Sequence, residues 1–155
     1  MALTLFIYLL ALASWLGGMI FFIVTTATIF GALPLTEAGK VLAALFPRYY
    51  LLGYIAGFIT TPLAIYFTIA EAARLWWGFA SVTLLIALAL TLYSGVIIRP
   101  RVDAIRTVNE EPNPDPARKA EFDRLHQLSV RLNGAVIVLN LLALASTATA
   151  VTRHF

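Results

Sequence analysis

Between short clusters of charge, this chain has four stretches without a single Asp, Glu, Lys, Arg or His: Met1–Thr36, Tyr49–Ala70, Leu75–Ile98 and Leu132–Thr152. A bilayer core about 30 Å thick is crossed by roughly 20 apolar residues in a helix that rises 1.5 Å per residue. Each stretch reaches that length, and each lacks the groups that are costly in hydrocarbon. The pattern predicts an all-α, polytopic membrane protein built as a four-transmembrane-helix bundle. Spans are expected at about 3–30, 49–70, 75–98 and 132–152, with cytoplasmic loops at about 31–48 and 99–131. The first stretch has no basic lead and is roughly twice the length of a signal-peptide core, so a retained span is expected rather than a cleaved leader.

The polar segments predict elements of their own. Thr36 as N-cap, Glu37 in the first turn, and Ala38, Val41, Leu42 and Leu45 at helical spacing predict a short amphipathic cytoplasmic helix. Phe46-Pro47-Arg48 then leads into span two. Pro62 is expected to kink that span and free the Phe58 carbonyl, with Thr60 and Thr61 nearby as compensating donors. Span three is expected to continue as Arg101–Val108 after a bend near Pro100. Pro112, Pro114 and Pro116 then interrupt regular structure, and Asp115 is placed to cap a helix that runs unbroken into span four. Glu121 and Arg124 are spaced to pair on its charged start. Gly53-x-x-x-Gly57 and Ala13-x-x-x-Gly17 predict close helix contacts.

Composition supports the same class. Of 155 residues, 61% are hydrophobic, and the mean hydropathy is +0.87, beyond the soluble range. Four spans leave room for one transmembrane domain over residues 1–155. The net charge of +3 does not point to nucleic acid, because the bases stand beside the spans, where they set topology and meet lipid headgroups. Nine Lys and Arg residues fall in the two longer loops, against Arg74 and Arg153 on the other side. Both termini are therefore expected outside the cytoplasm. Trp76 and Trp77 would lie in the outer aromatic belt, and Tyr49 and Tyr50 in the inner one. The absence of Cys removes disulfides, thiolate metal sites and a cysteine nucleophile.

Two groups of residues are candidates for chemistry. On the last helix His126, Asn133 and Asn140 are seven apart, with Ser129 near the same face and Phe122 one turn before His126. Such a stripe either holds neighbouring helices by hydrogen bonds or lines a cavity open to the cytoplasm. His126 and His154 stand 28 residues apart, about 42 Å along a helix, so they share no metal within one subunit. The second group is basic: Arg48, Arg99, Arg101 and Arg131, where spans meet the cytoplasm, with Asp103 one turn beyond Arg99. These serve topology and anionic lipid, or join Tyr49 and His126 in an anion-binding vestibule. No nucleophile and base are paired at membrane depth, and no catalytic residue, metal site or cofactor is expected.

Several elements together resemble the transmembrane protein 205-like family: Trp15-Leu16-Gly17-Gly18, Leu33-Pro34, Ala38-Gly39, Leu45-Phe46-Pro47-Arg48-Tyr49-Tyr50, Ile98-Arg99-Pro100-Arg101 and Phe122-x-x-x-His126-x-x-Ser129-x-x-x-Asn133. The resemblance covers nearly the whole chain and implies a four-span bundle of unsettled biochemical function. Eukaryotic members are associated with resistance to platinum drugs. This chain departs from that theme, because Met1 and Met19 are its only sulfur residues and soft metals prefer sulfur ligands.

The expected function is a non-enzymatic membrane protein that binds a small ligand or lipid at its cytoplasmic face. The expected site residues are Arg48, Tyr49, Arg99, Arg101, His126, Ser129, Asn133 and Asn140. Membrane lipids and a second copy of the chain are the expected partners. The alternatives are a transporter or channel for an uncharged or metal-complex solute, past Thr25, Thr28, Thr60 and Asn140, and an accessory subunit of a larger membrane complex.

Overall fold

The structure is a computed structural model and describes residues 1–111, 113 and 115–152. Pro112 and Pro114 of the expected interruption, and Arg153 and His154 of the topology and metal arguments, lie outside the described residues. Helix α1 spans Ala2–Ala32, α2 Leu35–Ala70 and α3 Arg74–Leu92. A π-helical turn, Tyr93–Ile98, continues α3 into α4, Arg99–Ile105, and a 3₁₀ segment, Arg106–Glu110. Helix α5 spans Pro116–Thr152. Four of these helical runs are long and apolar enough to cross a membrane. The outer faces agree: Phe21 is 71%, Ile69 72% and Leu75 79% exposed, an arrangement suited to lipid rather than water. The protein is a four-helix multi-pass membrane bundle.

Helix α3 packs against both α2 and α5, α1 packs chiefly against α2, and α1 meets α5 more lightly. Trp15 is the central residue of this assembly. Gly53 and Gly57 let α2 lie against it, since a Cβ at Gly57 would stand 2.7 Å from Leu88 Cδ1 and 3.0 Å from Trp15 Cη2. Gly17 meets nothing within 4 Å, and both it and Ala13 are exposed. Among the described residues Gly17 makes no close helix contact, and the Ala13–Gly17 face points outward.

Two expectations about elements need correction. The amphipathic segment is helical, but it forms the first turns of a continuous α2 with Pro34, not Thr36, at its N-cap. Pro47 lies inside that helix. It removes the donor that the Ala43 carbonyl would otherwise receive, and Arg99 Nη2 donates to that carbonyl instead at 2.8 Å. The helix continues because a neighbour supplies the missing bond. At the second proline, Thr60 does not serve Phe58: its hydroxyl donates to the Ala56 carbonyl at 2.9 Å, and the Thr61 hydroxyl is buried without a partner.

The aromatic belts also differ from expectation. Trp77 is only 2% exposed and stacks on Phe67 with centroids 4.4 Å apart, while Tyr8 meets both rings edge-on. Tyr50 is buried and shares a 2.8 Å hydrogen bond with Ser94. These rings close the bundle's interior, because helix rotation as well as depth decides where a side chain points. Span three departs from α-helical winding before Pro100, at the π turn, where Gly95 admits the buried ring of Tyr50. Asp115 caps α5 as expected, its Oδ1 accepting from the Ala117 N–H at 3.0 Å. On the exposed start of α5 ion pairs join Lys119 to Asp123 at 3.9 Å and Arg118 to Glu111 at 3.1 Å, rather than Glu121 to Arg124.

Candidate functional site

Where α1 and α5 part at the charged end of the bundle, a cleft of about 260 Å³ opens. Thr26 and Phe30 of α1 form one wall. The first turns of α2 contribute Leu35, Thr36, Gly39, Leu42, Ala43 and Phe46. Val102 and Asp103 of α4, and Arg106 just beyond it, face them, and Phe122 and His126 of α5 close the rim. The lining is mainly apolar, with a few polar groups at its edge, a composition typical of small-molecule sites, although the volume is just below their usual range.

Arg99 organises this wall from behind. Its side chain is 12% exposed, its Nε donates to Asp103 Oδ2 at 3.0 Å, and its guanidinium carbon lies 4.7 Å from the centroid of the Phe46 ring. With the Ala43 bond, three wall residues are fixed by one side chain. Arg99 Nη1 is buried and has no partner. Among the described residues Arg106 is the lining charge without a carboxylate partner. The Thr26 hydroxyl is likewise buried without a partner. On the rim His126 stacks parallel to Phe122, with centroids 5.9 Å apart and planes 3° apart.

Of the residues expected from the sequence, His126 lines the cleft and Arg99 holds its wall. Arg48, Arg101 and Arg131 are exposed and line none of it, with Arg48 Nη1 returning to the Ala44 carbonyl at 3.0 Å. The basic vestibule is therefore not assembled. The polar stripe on α5 is graded along its length. Asn140 is 0% exposed and donates to its own Val136 carbonyl at 3.0 Å, leaving its Oδ1 without a partner. Asn133 accepts from the Tyr49 hydroxyl at 3.0 Å, and Tyr49 stacks on Phe22 with centroids 4.3 Å apart. Ser129 is half-buried, and only His126 reaches open space. The stripe thus holds helices at depth and becomes accessible at its charged end.

Sequence reasoning missed Thr26, Phe30, Thr36, Gly39 and Arg106 as site residues. Arg106 was signalled by its position one turn beyond Asp103 on a continuing helix. The others come together only when four elements converge. Beside Trp15, Gly18, Gly53 and Thr91 the interior holds about 10 Å³, roughly the space of one water. At the opposite end a hollow of about 270 Å³ is floored by Phe67 and Trp77. Among the described residues no group of His, Asp and Glu is arranged to hold a metal ion.

A family model described as a domain of unknown function (DUF4149) matches residues 10–111, more than half of the chain. This match takes in α1 from Leu10 onward, α2, α3 and the Arg99 wall, while Phe122 and His126 lie beyond it. No curated protein and no solved structure matches the chain.

Proposed function

The chain belongs to the DUF4149 family of unknown function, and from that premise we propose that it is a membrane-embedded binding protein that takes a small amphiphilic ligand or lipid into the cleft beside α4. The observation that carries this reading is the lining: apolar residues from α1 and α2 face a rim that bears Asp103, Arg106 and His126. A ligand with an oily body and a polar end satisfies both parts. The charged end is assigned to the cytoplasm and both termini to the other side, supported by nine Lys and Arg residues against two. The resemblance to the transmembrane protein 205-like family belongs to the same proposal.

Gly39 provides the test. A Cβ there meets nothing within 4 Å, and the residue lines the cleft. Gly39→Leu fills the cleft while improving helix propensity by roughly 1 kcal/mol. In lipid nanodiscs, a photoactivatable single-chain amphiphile is expected to label Phe30, Leu42 or Phe122 in the native protein, and to lose that labelling in Gly39→Leu. Labelling confined to outward residues such as Phe21 and Ile69, and unchanged by the substitution, would refute the reading.

Solute transport is the second reading. It is supported by the unpartnered Thr61 hydroxyl and Asn140 Oδ1 in the membrane interior, where unsatisfied polar groups are costly. Thr28 does not join them, being exposed with its hydroxyl on the Val24 carbonyl at 2.9 Å. Solute flux into proteoliposomes above protein-free controls would favour transport, and flux at the control level would dismiss it.

A further inference from the structure

We infer that the occupant of the cleft is a single-chain amphiphile with a carboxylate head, of the long-chain fatty acid class, its head on Arg106 and its chain along Phe30, Leu42 and Phe46. This rests on the cleft-binding reading and adds the sign of the head and the number of chains.

The sign follows from the charges. Asp103 is neutralised by Arg99 at 3.0 Å, so it does not attract a cation. Arg106 lines the same space with no carboxylate partner among the described residues. A guanidinium beside an apolar lining is best satisfied by a planar carboxylate that accepts two parallel N–H bonds. The Arg99–Asp103 pair adds no net charge to the wall, and the Thr26 hydroxyl supplies a donor on the lining. Among the described residues a quaternary ammonium would meet no unpaired carboxylate there.

The number of chains follows from the volume. An engineered cavity of about 150 Å³ accepts benzene, roughly 25 Å³ per carbon. The cleft's 260 Å³ therefore houses roughly ten carbons on the same scale, which is one chain segment and not a diacyl pair. Its length beyond that point leaves between α1 and α5, where those helices touch lightly.

The test is equilibrium dialysis of radiolabelled dodecanoate, dodecanol and dodecyltrimethylammonium against the full chain in nanodiscs, with empty nanodiscs subtracted. Saturable dodecanoate binding at one site per chain is expected, at least tenfold tighter than dodecanol, with the cation at background. Arg106→Gln is expected to erase the preference for dodecanoate over dodecanol while leaving alcohol binding within twofold, which also shows that the variant is folded. Equal binding of acid and alcohol by the native protein, or preference for the cation, overturns the head assignment while the cleft reading stands. Displacement of dodecanoate by equimolar diacyl phosphatidate overturns the single-chain assignment. No saturable binding of any probe overturns both readings together.

Discussion

Arg99 and Ala43 stand 56 positions apart in sequence, yet the Arg99 guanidinium donates to the Ala43 carbonyl at 2.8 Å, the acceptor that Pro47 strips of its helical donor. One contact thus mends α2, fixes α4 against it and shapes the wall of the cleft.

Arg99→Met is expected to destabilise the protein by about 2 kcal/mol, the scale of a charge-assisted bond lost from a part-buried acceptor. Pro47→Ala restores a backbone donor to Ala43, so the same Arg99 substitution should cost about 1 kcal/mol less in that background. A double-mutant cycle of unfolding midpoints in detergent measures the difference. Additive effects would show that the two residues are not coupled.

The interior hydrogen bond between Tyr8 and Thr147, at 2.7 Å, locks α1 to α5 near the end away from the cleft. Tyr8→Phe and Thr147→Val should couple by about 0.6 kcal/mol and by less than about 2, the range found for interhelical bonds in membranes. The same unfolding cycle reads the coupling.

Glycines in this fold answer to different constraints. Gly95→Ala brings its new methyl within 2.7 Å of Tyr50 Cδ1 and against the Tyr54 hydroxyl, so a loss of about 1–3 kcal/mol is expected from overpacking. Gly134 meets nothing within 4 Å, and Gly134→Ala should raise stability by up to about 1 kcal/mol through helix propensity. Thermal unfolding of the two variants side by side distinguishes packing from propensity.

Three residues of the α5 stripe should separate on substitution. Asn133→Ala removes the acceptor of the Tyr49 hydroxyl and should cost about 1–2 kcal/mol. Asn140→Leu replaces a buried carbonyl that has no partner, so stability should hold or rise. His126→Ala, at an exposed position, should change stability by less than about 0.5 kcal/mol. A transport or binding defect in Asn140→Leu without loss of stability would give that residue a role beyond packing.

The spans were legible in the sequence because charge is excluded from lipid regardless of tertiary detail. The Arg99–Asp103 pair and the Asp115 cap were legible because both are decided within one or two turns of chain. The continuity of α2 was not, since Pro47 reads as a break until Arg99 arrives from another span. Trp77 was misplaced for a related reason: a belt rule gives depth along the membrane normal, while Phe67 and Tyr8 determine which way the ring turns. The cleft was only half visible. His126 stood out as a polar outlier and Arg106 was signalled by its spacing from Asp103, whereas Phe30 and Gly39 carry no mark of their own until α1 and α2 converge with the segment after α4.

The π turn at Tyr93–Ile98 resets the angular phase of everything that follows it. One additional residue accommodated in a helix rotates the downstream segment by about 100° relative to an uninterrupted α-helix. Val102, Asp103 and Arg106 share a face through their own helical spacing, and the offset sets the direction in which that face points. Were the turn wound tightly, the same side chains would sweep away toward a different quadrant, and the helix carrying them would present the α1 and α2 walls with an unrelated set of groups.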